Sequence, residues 1–337
     1  MTVKAESEEI GIVGLGLMGA SIVTALLISG NRVVGVAPLA SDLENGPSKI
    51  RHYLEIAQHH GLTDFSPEEN LARLTLTEDY ALLRGCQLVM ECVVENIEVK
   101  KQVYAKVEDH ISTDAILTTN TSAIPNTVLK DFVKYPRRFM GMHWAEPAFT
   151  TKFLEIVCNP ETDTTLAEKL YAMATGWGKE PILVRKDIRG FITNRIMYAM
   201  YREAFNLVEN GYATTEDVDR ACRNDGGHWM TFCGLFRYMD LTGLQAYYAV
   251  MNDLFPTLSN QTEVPQLIEN IVQQGGNGIT NGKGFYDYTP EEAKEWEKAY
   301  EEFAFDISKL STKYPIDLIE KRLSKKEISE SLTVKKT

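Results

Sequence analysis

Gly14-Leu15-Gly16-Leu17-Met18-Gly19 constrains this chain more than any other segment, because of what stands on either side of it. The short apolar run 10–13 before it reads as a strand, and the apolar residues after it, through Ile28, read as a helix. The first glycine permits a tight turn, the second lets the backbone approach a pyrophosphate, and the third allows the helix to pack on the strand. A helix start also presents unpaired N–H groups to phosphates, which adds Leu17 and Met18 to Gly14, Gly16 and Gly19 as candidate cofactor contacts. The strand–turn–helix setting is what makes this glycine pattern indicate a dinucleotide rather than a purely structural turn.

The rest of the first half alternates in the same way. Segments 32–36, 88–91, 116–119, 139–143 and 153–158 read as strands, and 48–60, 99–110 and 164–175 as amphipathic helices. Such alternation builds βαβ units, so the expected fold class is α/β, a Rossmann-type doubly wound, mostly parallel sheet. From about Gly190 the strand runs stop, and 191–210, 215–223, 234–252 and 264–274 read as helices. The expected organisation is a nucleotide-binding domain over 1–188, an all-helical domain over 189–288 and a helical extension over 289–337. In the extension, Thr289-Pro290-Glu291-Glu292 is a helix start and the Lys- and Glu-rich tail from Lys325 is a solvated terminus.

Composition excludes several functions. The 337 residues carry 35 Lys and Arg against 47 Asp and Glu, a formal charge of −12, which is the wrong sign for a nucleic-acid binder. No apolar run is long enough to span a bilayer, and the start lacks the apolar core of a secretory signal. Five scattered cysteines without a C-x-x-C pair argue against a disulfide framework and against a metal site. These features describe a cytoplasmic enzyme-like chain with no membrane and no nucleic-acid partner.

The acidic residue that NAD proteins place at the end of the second strand is absent; Ala37-Pro38 stands there. No Arg or Lys occurs between Ala37 and Ser48 to meet a 2′-phosphate, so NAD is preferred over NADP without being decided.

Polar residues cluster at the ends of later strands, where a doubly wound sheet binds its ligands. Glu91-Cys92-Val93-Val94-Glu95-Asn96 leads into a helix with Lys100; Thr119-Asn120-Thr121-Ser122 ends the next strand; Gly141-Met142-His143-Trp144-Ala145-Glu146-Pro147 ends another; Glu155 lies on the one after. Singly, each has an ordinary structural explanation: a core histidine, a buried ion-pair partner, a turn serine.

In this order, and with Gly190-Phe191-Ile192-Thr193-Asn194-Arg195 following, the sequence resembles the L-3-hydroxyacyl-CoA dehydrogenase family from residue 10 to about 288. The resemblance implies a His143–Glu155 dyad, with imidazole as acid and base and the carboxylate as its orienter. It implies that Ser122 and Asn194 orient substrate, that Glu95, Lys100, Asn120 and Ser122 lie near the cofactor, and that the cofactor is NAD. It also implies an acyl-CoA substrate, a place in fatty-acid metabolism and a homodimer formed through the helical domain. Phe191, Tyr198 and Phe205, at helical spacing, are expected in that domain's core or dimer interface.

The chain departs from the family on the substrate side. Where the family reads His-Phe-Phe-Asn-Pro, this chain has Glu146 in place of the amide; the helix that contacts coenzyme A carries Tyr53 and His60 at the Ser and Lys positions; and the Pro-Met-Gly-Pro turn is Phe232-Cys233-Gly234-Leu235. A dehydrogenase of a 3-hydroxy acid without coenzyme A, as in the gulonate and carnitine dehydrogenases, is therefore a second expectation. A nucleotide-binding protein without catalysis is a third.

Overall fold

The structure, a computed structural model, describes residues 8–324. It divides into two compact units, the first ending at Arg195 and the second starting at Ile196. In the first, β1 (Glu9–Val13), α1 (Leu17–Ile28), β2 (Arg32–Val36), α2 (Ala40–His59), α3 (Pro67–Leu71) and β3 (Leu74–Thr77) make one half of the sheet with its helices. The other half comprises β4 (Leu88–Glu91), α4 (Ile97–Glu108), β5 (Ile116–Thr119), α5 (Asn126–Leu129), β6 (Phe139–Trp144), β7 (Leu154–Cys158), α6 (Thr164–Gly176) and β8 (Ile182–Val184). The eight strands run in the order β3-β2-β1-β4-β5-β6-β7-β8. Every neighbouring pair is parallel except β6 and β7. The direction of winding reverses between β1 and β4, which opens a crevice at their carboxyl ends.

The central strands are apolar on both faces because helices cover both faces of a parallel sheet. Ile10, Ile12, Val13, Leu88, Val89, Met90 and Leu117 are fully buried or nearly so. Helix α1 is buried from Gly19 to Leu27, all round, which explains why its sequence shows no polar stripe. Tyr104 of α4 meets Phe139 of β6 edge to face at 5.3 Å, tying a helix to the sheet.

Two strands escape the sequence reading. β3 is a half-buried edge strand of alternating Leu and Thr, and β8 has only three residues; both take their strand form from their neighbours. Helix α2 starts at Ala40 rather than 48, with Pro47 inside it. Pro47 is exposed, while Gly46 lets the helix lie against Leu15, where an added Cβ would stand 3.2 Å from the Leu15 side chain.

The first unit also runs past the expected boundary at 188. Phe191 has a left-handed backbone (φ 50°) and packs with Val157 and Val184. It therefore belongs to the sheet's core and not, as its spacing with Tyr198 and Phe205 suggested, to the helical domain.

The second unit follows α7 (Thr193–Glu209) with α8 (Thr215–Asn224), α9 (Gly226–Thr242), α10 (Leu244–Leu254), α11 (Gln266–Gln273) and α12 (Pro290–Lys313). The expected single helix over 234–252 is interrupted at Gly243, whose φ of 102° ends α9. Gly234, at φ 67°, also breaks α9 internally. Thr289 and Glu292 form a reciprocal capping box at the start of α12, as the Thr-Pro-Glu-Glu run predicts. Helices α7 to α11 bury no residue completely, and Tyr198, Tyr212, Phe236 and Tyr248 are among the large apolar side chains left exposed. The tail from Lys325 lies outside the described residues. All five cysteines are free thiols, and the described residues hold no cluster suited to a metal ion. Among those residues no helix is long and apolar enough to cross a membrane.

Candidate active site

The Gly-rich loop behaves as its three glycines require. Gly14 has φ 99°, and a Cβ there would meet the Cys92 carbonyl at 2.8 Å. A Cβ on Gly19 would stand 1.9 Å from the Gly14 carbonyl, so the helix can close on the strand only with glycine at both positions. Gly16 differs: nothing lies within 4 Å of its added Cβ. That open space fronts the start of α1, where Gly16 supplies no side-chain cap and the first turn holds no acidic residue. The N–H groups of this turn are thus left to a ligand's phosphates, which is the fit a dinucleotide needs. Gly16→Ala is expected to unfold at the wild-type temperature within a few degrees and to bind NADH at least about tenfold more weakly, since the methyl takes the approach of the pyrophosphate. A dissociation constant unchanged in fluorescence titration overturns this.

Beneath the crevice a buried charge cluster braces β4, α4 and β5. Both oxygens of Glu91 meet Lys100 Nζ, at 2.9 and 3.0 Å, and neither side chain is exposed. The carboxylate also accepts from the Val93 N–H (2.7 Å), Thr119 Oγ1 (2.6 Å) and Tyr104 Oη (3.1 Å). Lys100 Nζ reaches Glu95 at 3.4 Å. Glu95 in turn accepts hydrogen bonds from the Thr121 hydroxyl and from the N–H groups of Ala123 and Ile124. Burial opposes ionisation of Glu95, yet the Thr121 bond and the Lys100 charge hold its carboxyl below the ordinary value. Lys100, expected beside the cofactor, therefore lies under the crevice with no surface of its own, because Glu91 needs a buried counter-charge. Glu95 keeps an exposed edge and joins the β4 and β5 termini.

Asn120 links the next pair of strand ends, accepting from the Trp144 N–H at 3.1 Å. Ser122 is exposed just beyond it. Asn194 Nδ2 lies 3.5 Å from the Ser122 carbonyl, so two of the residues matched to substrate positions meet.

His143 and Glu155 face each other across the antiparallel β6–β7 pair, in direct register. Nδ1 of His143 is 2.9 Å from Oε2 of Glu155, and Glu155 is wholly buried. The other carboxylate oxygen accepts from the N–H groups of Ile192 and Thr193, both at 3.0 Å, and from Thr193 Oγ1 at 3.2 Å. The left-handed residues Gly190 and Phe191 turn the chain so that these donors, at the first turn of α7, converge on one oxygen. Burial resists ionisation of Glu155, but the His143 bond and charge and the two backbone donors outweigh it and hold the carboxyl below its ordinary value. Phe153 and Phe191 flank the imidazole, each ring 5.5 Å away. Nδ1 is committed to Glu155, and among the described residues Nε2 has no protein partner. Such an imidazole is held in one orientation with a ring nitrogen free for proton transfer.

Beyond the end of β6, Glu146 sits next to Ser21 of α1 and Ala148; burial raises its carboxyl pKa more than hydrogen bonds to those two groups lower it, and Oε2 is buried without a partner. The Tyr53 ring lies 5.2 Å from Phe149, and its hydroxyl is pushed up in pKa by burial and by the Glu146 charge. Lys179 Nζ donates to the carbonyls of Ala148 and Thr151, both at 2.5 Å, and so clamps the loop that follows Glu146. Burial pushes this lysine's pKa down to about 7. The clamp was not visible in the sequence, where Lys179 is an unremarkable residue after Trp177-Gly178.

The profile of the 3-hydroxyacyl-CoA dehydrogenase NAD binding domain matches residues 9–188, and that of the family's C-terminal domain matches 190–288. The chain belongs to the 3-hydroxyacyl-CoA dehydrogenase family. It is an NAD-dependent dehydrogenase. A Mesorhizobium japonicum relative, 5-formyl-3-hydroxy-2-methylpyridine 4-carboxylate 5-dehydrogenase, is 32% identical over 290 residues, covering 85% of this chain and 92% of the relative. A solved structure of an enzyme of that name, described as an NAD+ dependent dismutase, superposes with a TM-score of 0.83 at 29% identity, over 90% of this chain and 98% of that one. The structure of (S)-3-hydroxybutyryl-CoA dehydrogenase from Ralstonia eutropha gives 0.70 at 28% identity, over 84% and 100%.

Proposed function

We propose that this dehydrogenase interconverts a hydroxyl and a carbonyl on a compact acidic substrate that carries no coenzyme A, with His143 as the acid and base. The His143–Glu155 pair is the observation that carries the reaction type. When bound, NAD would supply the hydride acceptor for the carbon that bears the hydroxyl. His143 Nε2 takes the hydroxyl proton in that direction and returns it in the reverse one. Glu155 keeps Nδ1 protonated and stabilises the imidazolium. Ser122 and Asn194 orient the substrate oxygen, while Glu95 and Asn120 shape the cofactor side of the crevice.

Three features support a substrate without coenzyme A. Tyr53, at a family Ser position on the coenzyme A helix, is packed against Phe149. Glu146 replaces an amide with a carboxyl that burial pushes toward its protonated form. The pyridine-carboxylate dehydrogenase structure covers more of this chain than the family profiles do, and it fits better than the acyl-CoA enzyme. The acyl-CoA reading is favoured by the relatives named 3-hydroxybutyryl-CoA and 3-hydroxyadipyl-CoA dehydrogenase. The apolar side chains exposed on the helical unit support a homodimer, and the cytoplasm suits an NAD enzyme with free thiols.

Following NADH absorbance decides between the substrates. The expected result is no oxidation with acetoacetyl-CoA, no inhibition by free coenzyme A, and turnover with a hydroxy- or formyl-carboxylate. Rapid oxidation by acetoacetyl-CoA would establish the acyl-CoA reading instead.

A further inference from the structure

The end of β2 poses a chemical problem that the glycine loop does not solve. Ala37 follows β2, is 3% exposed, and donates its N–H to the Thr77 carbonyl at 2.8 Å, so a buried methyl stands where a ribose diol needs an acceptor. The next acidic residue in the chain is Asp42, in the first turn of α2. Its Oδ2 accepts from the Leu15 N–H at 3.4 Å, which places the carboxylate on the glycine loop itself, between Gly14 and Gly16. Two further contacts keep it there. Gly14 donates to the Val36 carbonyl at 2.9 Å, holding the loop to the end of β2. Gly46 allows α2 to lie close against Leu15.

We infer that Asp42 does the work of the missing residue: it accepts hydrogen bonds from the adenosine ribose hydroxyls and makes the protein select NADH over NADPH. With the pyrophosphate on the first turn of α1, the ribose that precedes it lies at the junction of the loop with the end of β2. Asp42 stands at that junction, half-buried. A carboxylate offers about four acceptor positions, of which the long bond from Leu15 uses one. A 2′-phosphate at the same place would meet a like charge, and segment 37–48 contains no Arg or Lys to offset it. An acid in the first turn of α2 also favours the helix dipole, and that alone would explain its presence without any ligand. The two roles differ in what they do to cofactor choice.

The test is the dissociation constant of NADH and of NADPH, each by fluorescence titration of wild type, Asp42→Ala and Asp42→Asn, with thermal unfolding recorded in parallel. Wild type is expected to bind NADH at least tenfold more tightly than NADPH. Asp42→Ala and Asp42→Asn are expected to lose about tenfold in NADH affinity and to hold or gain affinity for NADPH, bringing the ratio near one. An unchanged ratio in either variant that still unfolds cooperatively overturns the proposal, as does an equal loss for both dinucleotides, which would mean that Asp42 only shapes the loop. The Asn variant keeps the side chain's size and an acceptor for Leu15, so it answers the question if Asp42→Ala does not fold. Because the readout is binding, the outcome is independent of which substrate the enzyme takes.

Discussion

His143→Asn is expected to lower turnover by about 10²–10⁴-fold while leaving NADH affinity and cooperative unfolding at wild-type values. The size follows from the isolation of the pair. Glu155 is buried, one oxygen holds His143 Nδ1, and the other is saturated by three donors from the start of α7, so no neighbouring group can replace the imidazole as proton carrier. Glu155→Gln is expected to reduce turnover by about 10²-fold with a small change in KM, because the imidazolium loses its counter-charge and the free amide rotor no longer defines the tautomer. Single-turnover measurement of NADH oxidation separates this from slow product release. The same residue links the site to acid stability. Its carboxyl is held below the ordinary value in the folded protein, so the stabilisation it gives is complete above that value and disappears as pH falls through the lowered one. Glu155→Gln is therefore less sensitive to acid than wild type. Normal turnover in His143→Asn would remove the dyad from the mechanism.

The second large effect lies under the site. Lys100→Ala is expected to destabilise the protein by about 3–5 kcal/mol, because it leaves the Glu91 carboxylate charged and unpaired in the core. Glu91 and its partners Lys100, Tyr104 and Thr119 are all buried, so water does not reach the Glu91 carboxylate to compensate for the lost ammonium. The double variant Glu91→Gln, Lys100→Met removes both charges and is expected to recover more than half of that loss in urea unfolding. If Lys100→Ala unfolds at the wild-type urea midpoint, the cluster is not a structural brace. A cofactor-contacting lysine would show the opposite pattern, an intact fold with weakened NADH binding.

Much of this architecture is legible in the chain itself. Central strands of a parallel sheet are buried on both faces, so β1, β2, β4, β5, β6 and β7 stand out as apolar runs whatever surrounds them. The three glycines are equally plain, since the approach of Gly19 to the Gly14 carbonyl admits no other side chain. The residues proposed for the site, His143, Glu155, Ser122 and Asn194, can be named from the family resemblance that their order along the sequence carries.

What each residue touches was decided by the tertiary structure, because those contacts join different elements of the fold. β3 and β8 are strands through their neighbours' hydrogen bonds rather than their own pattern. Lys100 of α4 turns inward to meet Glu91 at the end of β4 and Glu95 in the loop between them, and Phe191 enters the sheet core because Gly190 bends the backbone before α7. Lys179 becomes a loop clamp, and Asp42 a neighbour of the glycine loop, through packing that no local periodicity encodes. Sequence alone determined the fold class and the chemistry available at the strand ends, since burial and backbone freedom are local demands. The pairing, burial and charge environment of those same groups came only with the fold, since they depend on distances between segments that the chain order does not specify.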